Sequence, residues 1–356
     1  MSKSNLDALA KLLNKKFGGD TAVRLGTGKA LDSEVVEVIP SGIDVVDRHL
    51  LAIGGFAVGR ISEVSGEEAC GKTTFMYQCI ASAQAHDATV YVVDSEHSFD
   101  EDRARVFGVD TEDVLVVQPE HLEMALEQIK TILLAHDKRK MAFIAWDSLA
   151  AIPPKSALGY AAGDARVGEV PRILSEELRK IVPMLKVARA HLFVINQIRS
   201  TIGVMFGPNT TTPGGKAMKF YASWRAQFFG GKAEKDKAKN HVGKVVTLMV
   251  TKTRFSAPFR KVKIMLRYST GWDNAWSTIN YAKSAKVANA HKINALNKRG
   301  EDVQEIIKCA LGWSDSMSVD EAKTRLRGGN DDHDDDLDDD LDDDLEGDVN
   351  DEDFED

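Results

Sequence analysis

Eight consecutive residues, Gly66-Glu67-Glu68-Ala69-Cys70-Gly71-Lys72-Thr73, match GxxxxGK[ST] between a short apolar run (60–65) and a helix-like stretch (72–86). The glycines let the backbone curl so that successive N–H groups face a phosphate. The helix that starts near Gly71 turns its positive dipole end to the same place. Lys72 is long enough to reach β- and γ-phosphates, and the Thr73 hydroxyl can ligate Mg²⁺. Thr74 completes the turn. Asp147 follows the apolar run 141–146, a strand-end position suited to a carboxylate linked to Mg²⁺. A nucleoside triphosphate with Mg²⁺ is therefore the expected ligand. Asp94 and Glu96 both follow the apolar run 88–93 and compete for the role of activating water. On spacing alone, either could be an ordinary strand-end carboxylate.

These groups need a scaffold that brings strand ends together. Apolar runs at 60–65, 88–93, 113–118, 141–146 and 191–195 alternate with helical patterns at 72–86, 121–136 and 170–190. Such alternation predicts an α/β fold, a doubly wound, mainly parallel sheet covered on both faces. Runs at 221–228, 244–252 and 261–268 read as consecutive strands, antiparallel neighbours at one end of the sheet, with 230–240 as a solvated hairpin loop. Residues 5–17 form an amphipathic helix with Leu6, Leu9, Leu13 and Phe17 on one side. It packs either on its own domain or, as an arm, on a neighbouring subunit.

The 356 residues carry 46 Lys+Arg against 55 Asp+Glu, a net charge of −9 that by itself argues against nucleic-acid binding. The acid is concentrated, however. Residues 331–356 hold 18 Asp or Glu and no Lys or Arg, leaving the first 330 with 46 bases against 37 acids, a net of +9. An acidic tail, disordered by composition, hangs on a basic body. Residues 280–299 add five bases and no acid, in a polar, helical C-terminal region. Cys70, Cys79 and Cys309 are too few for a disulfide scaffold and lack metal-ligand spacing, so they read as reduced thiols in a cytoplasmic protein. No apolar run is long enough for a membrane span, and the N-terminus does not read as a signal peptide.

In order along the chain, GEEACGKT, VVDSEH (92–97), WDS (146–148), NQIRSTIGVMFG (196–207), TTPGGKAMKFYAS (211–223) and APF (257–259) resemble the bacterial RecA recombinases, chromosomal or phage-encoded. The resemblance spans about residues 17–272. It implies a RecA-type ATPase core with an N-terminal helix that packs on the next subunit, and Leu9, Leu13 and Phe220 at the subunit boundary. It implies a DNA-dependent ATPase that polymerises on single-stranded DNA, pairs it with homologous duplex and exchanges strands. It also implies residue roles: Glu96 as the carboxylate that activates water, and Gln197 as a γ-phosphate sensor that begins a DNA-contacting loop. Lys252 and Arg254 become bases reaching a neighbour's phosphates, and Asp100, Arg103 and Tyr268 surround the adenine of ATP. A first DNA loop covers about 157–168 and includes Val167. Arg172, Ser175 and Arg179 follow it on one helix face. A second covers 199–219, with Arg199, Ile202, Gly214, Gly215 and Lys216. Ile202 can wedge between bases there. The binding expected is sequence-tolerant.

The chain departs from the family pattern at Glu67 and Cys70, where Pro and Ser are usual. Arg103 stands where a Tyr usually stacks on adenine, and a guanidinium can stack instead. Val167 stands where a longer apolar residue is frequent. The expected organisation is an N-terminal helix and linker (1–33), the ATPase core (34–272), a small C-terminal subdomain (273–330) and the tail (331–356). The tail is expected to compete with DNA for the basic body, and its spaced Leu337, Leu341 and Leu345 could dock single-strand-binding or mediator proteins. A ring-shaped motor of the same fold, and an ATP-gated scaffold without turnover, are the alternative functions.

Overall fold

The computed structural model describes residues 3–18, 22–24, 37–159, 168–200, 210–287, 292–293, 296 and 302–327. Val167, Ile202 and the acidic stretch 331–356 lie outside them. The chain divides after Glu37 into two units. In the first, α1 (Lys3–Phe17) runs from the predicted amphipathic stretch. The Asn14 amide ties to both backbone groups of Ala22, at 2.9 and 2.7 Å, and Arg24 Nε donates to Asp7 Oδ1 at 2.6 Å. Its apolar side is not buried: Leu6, Leu9 and Phe17 are 43, 45 and 66 % exposed.

The second unit opens with β1 (Val38–Ile39), a π-helical turn (Val46–Leu51) and β2 (Phe56–Ala57), which pairs with β1. There follow β3 (Ile61–Gly66), α2 (Lys72–Ala85), β4 (Thr89–Asp94), α3 (Glu101–Val106), β5 (Val114–Val117), α4 (Leu122–Ala135), β6 (Ala142–Asp147), α5 (Glu169–Val187) and β7 (Ala190–Gln197). Then come β8 (Arg199–Ser200), β9 (Thr210–Thr211), α6 (Lys216–Tyr221), β10 (Trp224–Phe229), β11 (Ala233–Lys235), β12 (His241–Thr253), β13 (Lys261–Arg267), β14 (Gly271–Asp273) and α7 (Asn274–Ser284). Two short helices, Val303–Ala310 and Val319–Arg327, complete the described elements.

The main sheet runs β14-β13-β12-β10-β3-β7-β6-β4-β5. From β10 to β5 neighbouring strands are parallel, while the successive pairs β10–β12, β12–β13 and β13–β14 are antiparallel. The continuous apolar runs arise because both faces are covered. Along β6, Phe143 and Ala145 enter the core under α2, whereas Ala142, Ile144 and Trp146 enter the core under α4 and α5. β7 alternates in the same way, with Phe193 and Ile195 on one face and Leu192 and Val194 on the other. Each such side chain contributes roughly 1.5–3 kcal/mol on burial. A third apolar cluster joins Ala282 to Val303, Ile306, Ile307 and Leu326 in the C-terminal region.

Two expectations need correction. Residues 230–240 are not all loop, because β11 pairs with β12. The second DNA loop is also shorter than 199–219: its ends pair as β8 and β9, and α6 begins at Lys216. Tyr221 therefore belongs to a helix, and the strand placed at 221 starts at Trp224. Short amphipathic turns of six residues leave too little periodicity to be read from sequence.

Candidate functional site: a phosphate cleft at the end of β3

β3 ends at Gly66, and the turn that follows returns as α2 from Lys72. A Cβ on Gly66 would lie 2.9 Å from Phe228 O and 2.7 Å from Cys70 Sγ, so the turn closes only on glycine. Gly71, the residue before α2, has φ +99°, and a Cβ there would lie 3.4 Å from the Trp272 ring. Above them opens a cleft of about 420 Å³ lined by Glu68, Ala69, Gly71, Lys72, Thr73, Thr74, Glu96, Arg103, Asp147, Gln197, Lys244, Leu266 and Tyr268.

The Lys72 ammonium donates to Gly66 O at 2.9 Å and Glu67 O at 2.5 Å, and lies 3.6 Å from Cys70 Sγ. Burial pushes the Cys70 thiol up, with Lys72 opposing, so it is a neutral filler beneath the turn. Thr73 Oγ1 donates to Asp147 Oδ2 at 2.7 Å. Burial raises the Asp147 carboxyl to about 6, with the Thr73 hydrogen bond opposing and the neighbouring Glu96 and Asp94 adding to the rise. A hydroxyl and a carboxylate oxygen form a hard-donor pair of the kind Mg²⁺ takes along with waters and phosphate oxygens. Among the described residues no cluster of three or more His, Cys, Asp or Glu converges as a metal cage.

The two rival carboxylates separate clearly. Asp94 is buried and accepts from the Ser98 and Phe99 N–H groups and from Gln118 Nε2, at 3.0, 3.2 and 3.0 Å. It holds the turn after β4. Glu96 is exposed to the cleft and accepts on Oε1 from Ser148 Oγ at 2.5 Å and Gln197 Nε2 at 3.1 Å.

Sequence reasoning missed three contributors to the cleft. Lys244 donates to Ala69 O, and it stands directly opposite Leu266 across β12 and β13. Val246, Leu248 and Val250 are buried under α2, so counting back by two from them would have put Lys244 on the cleft face. Leu266 gave no signal beyond its place in an apolar strand. Ser148 gave none beyond following Asp147.

Asp100 is not part of the cleft lining. Its carboxylate caps α3, accepting from the Arg103 N–H at 3.0 Å. The Arg103 guanidinium lies 5.4 Å from the Phe107 ring centroid. Lys252 and Arg254 also lie elsewhere. Lys252 is level with Arg225 and Glu63, about 10 Å along β3 from Gly66 and two strands over. Lys252 donates to the Lys219 and Phe220 carbonyls, and Arg254 lies 3.4 Å from Phe220 O. Burial lowers the Lys252 ammonium, with Arg254 and Arg225 adding to the effect. Phe220 is 66 % exposed beside them.

The DNA candidates gather at another edge. A Cβ on Gly214 would meet Leu174 at 2.8 Å, and one on Gly215 would meet Pro171 at 3.0 Å, so the end of the second loop abuts the first turns of α5. Arg172 and Arg179 are exposed on α5, Arg172 3.4 Å from Glu176, and Lys216 is exposed where α6 starts. The Ser175 hydroxyl donates to Pro171 O at 2.7 Å. Asn196 fixes the loop's far end, donating to Pro213 O at 3.0 Å and to the buried Glu63 at 2.8 Å, and Glu63 in turn pairs with Arg225.

The family model of the RecA N-terminal domain matches residues 4–273. The chain belongs to the RecA family. Protein RecA of Thermotoga maritima is 35% identical over 280 residues, covering 79% of this chain and 77% of the relative. Protein RecA of Corynebacterium aurimucosum is 38% identical over 275 residues, 77% and 71% of the two chains. Among solved structures, one described as the RadB recombinase covers 65% of this chain and 97% of its own at 18% identity, with a TM-score of 0.49. As a RecA-family recombinase the protein hydrolyses ATP, binds DNA, associates with itself into filaments, and catalyses homologous pairing and strand exchange in recombination and repair. The family match ends at Asp273, immediately before α7. No helix among the described residues is long and apolar enough to cross a membrane.

Proposed function

We propose that hydrolysis is carried out by a site split between two subunits. Within one chain, backbone N–H groups of 67–74 and Lys72 hold the triphosphate, and Glu96 takes the proton of a water whose oxygen attacks the γ-phosphorus. The bond from the γ-phosphorus to the β–γ bridging oxygen breaks, leaving ADP and phosphate. Thr73 and Asp147 would hold Mg²⁺, which supplies charge neutralisation on the phosphates when bound. Gln197 links nucleotide state to the loop that follows it. Lys252 and Arg254 act on a neighbour's phosphates, which makes turnover depend on polymerisation. Arg103 and Tyr268 flank the adenine, with Asp100 supporting Arg103.

The observation that carries this reading is the Glu96–Gln197 contact of 3.1 Å at the mouth of the phosphate cleft. The test is ATP hydrolysis with and without single-stranded DNA. Glu96→Gln should lose 10²-fold or more in kcat, on the order expected for a missing general base, while retaining ATP-dependent filaments by electron microscopy. Closed rings in place of filaments would favour a ring motor, and wild-type protein without DNA-stimulated turnover would favour a scaffold.

DNA lies along Arg172, Ser175, Arg179, Gly214, Gly215 and Lys216, with Arg199, Val167 and Ile202 from the two loops. Helix α1 docks on the next subunit through Leu9 and Leu13, and Phe220 takes part in the same boundary. The exposed apolar side of α1 supports this. The tail, 331–356, competes with duplex DNA for the basic body and offers a site to mediator proteins in the cytoplasm. Its removal should strengthen duplex binding and lower the Mg²⁺ needed for strand exchange. Equal duplex binding by both forms at low salt would remove the tail from the account.

A further inference from the structure

Glu96 is held by two donors of very different character. Ser148 Oγ and Gln197 Nε2 both bond its Oε1, at 2.5 and 3.1 Å. Ser148 is 0 % exposed. The backbone around it is pinned on both sides: Asp147 O accepts from the Ser95 N–H at 2.8 Å, and the Leu149 N–H donates to Ile195 O at 3.0 Å. Its hydroxyl is thus a fixed donor, set by the ends of β4, β6 and β7. Gln197 is half-buried at the last position of β7, where the chain leaves the sheet for β8 and the second loop. Its longer side chain can change partners. Glu96 itself stands in an irregular turn, exposed, with three rotatable side-chain bonds. Two donors on Oε1 leave Oε2 as the oxygen that can accept a proton from water.

We propose that Ser148 is a positioning residue, the permanent donor that aims the Glu96 carboxylate, so that Gln197 can release Oε1 without the base losing its aim. The inference rests on Glu96 being the group that activates water. A carboxylate tethered by Gln197 alone would be free to turn whenever the amide moved. A misplacement of about 1 Å at a reacting group can cost on the order of 10²-fold in rate.

The test is a mutant cycle of Ser148→Ala and Glu96→Gln in full-length protein, with kcat and KM for ATP measured on saturating single-stranded DNA. Ser148→Ala should lower kcat about ten- to hundredfold and leave KM within about twofold. The near-isosteric Ser148→Cys, a weaker donor, should fall between the two. In the Glu96→Gln background no carboxylate remains to be aimed, so Ser148→Ala should leave the residual single-turnover rate unchanged. An unchanged kcat in Ser148→Ala overturns the proposal. So does an equal loss in both backgrounds, or a rise in KM at constant kcat, because each marks a merely structural role. If Ser148→Ala melts at a lower temperature and loses ATP binding, the Ser148→Cys comparison decides. Normal hydrolysis by Glu96→Gln would instead bring down the reading of Glu96, and is told apart by that single variant.

Discussion

The phosphate cleft and the Lys252–Arg254 corner are built from the same strands yet differ in completeness. In the cleft, Lys72, Thr73, Asp147, Glu96 and Gln197 converge from four elements; Thr73 bonds Asp147, Gln197 bonds Glu96, and Lys72 is held by the Gly66 and Glu67 carbonyls. At the corner two cations stand beside each other, level with Glu63 rather than Gly66, and donate to main-chain carbonyls of 219–220. Two like charges brought together raise each other's energy, and the lowered Lys252 ammonium records burial first and then that repulsion. An anion from outside the chain would relieve it. On the proposed division, one chain holds the substrate and aims the base, and the cations of the corner serve a neighbour's phosphates.

The sharpest way to break this division is Lys252→Ala. Loss of a trans-acting cation should reduce kcat by 10³-fold or so, with ATP binding to the isolated chain intact. Mixed in equal amounts with Glu96→Gln, itself strongly impaired alone, it should regain up to roughly a quarter of wild-type turnover, because some boundaries then pair an intact base with an intact cation. A mixture as inactive as its components would place both residues in one chain's site. A smaller effect tests the cleft's own boundary. Lys244→Met removes a cation from its rim and should raise KM for ATP several-fold, by about 1 kcal/mol, with kcat little changed. Adenosine binding should not change, and equal losses for adenosine and ATP would make Lys244 a packing residue.

An effect on stability alone, absent at neutral pH, lies in the core beneath both regions. His191 is fully buried, bonded to Ala57 O at 2.8 Å and packed on Phe56 and Phe143. Burial lowers its pKa from 6.5 to about 4. The fold refuses a proton that the unfolded chain accepts, so stability is lost as pH falls from 6.5 towards 4, by up to about 3 kcal/mol. Asp47 acts in the opposite sense. Burial raises its carboxyl to about 7, so its contribution is lost as pH rises from 3.8 towards 7. Denaturant titrations of wild type and His191→Phe isolate the histidine. The difference between them should change across pH 4–6.5 and be flat above it, and activity at neutral pH should not move. A flat difference throughout would mean that His191 is protonated in the fold.

Much of this molecule was legible because its decisive residues obey strong local rules. The P-loop spacing names its chemistry, and strands buried on both faces give continuous apolar runs. The rest depended on register. Lys244 looks like an exposed strand lysine until β12 is set against β13 opposite Leu266. Asp94 and Glu96 are alike in sequence, and only the turn after β4 gives one to backbone amides and the other to the cleft. Ser148 bonds a residue 52 positions away. Helix α6 was hidden among glycines and threonines that read as loop, because its two buried residues, Ala217 and Met218, are too few to show a period.

β3 lies between β7 and β10, pairing Ser62 with Phe193 on one side and with Trp224 on the other. During synthesis it leaves the ribosome long before either partner exists. Residues 89–197 carry β4, β5, β6 and β7, which pair among themselves, whereas β3 has a partner on both edges only when residues from 61 to 229 are all in place. Closing loops of well over a hundred residues is slow. The turn that hangs from β3 therefore depends on pairings between segments far apart in the chain. A nucleotide that binds the folded chain and not the unfolded one acts on that closed sheet as a latch.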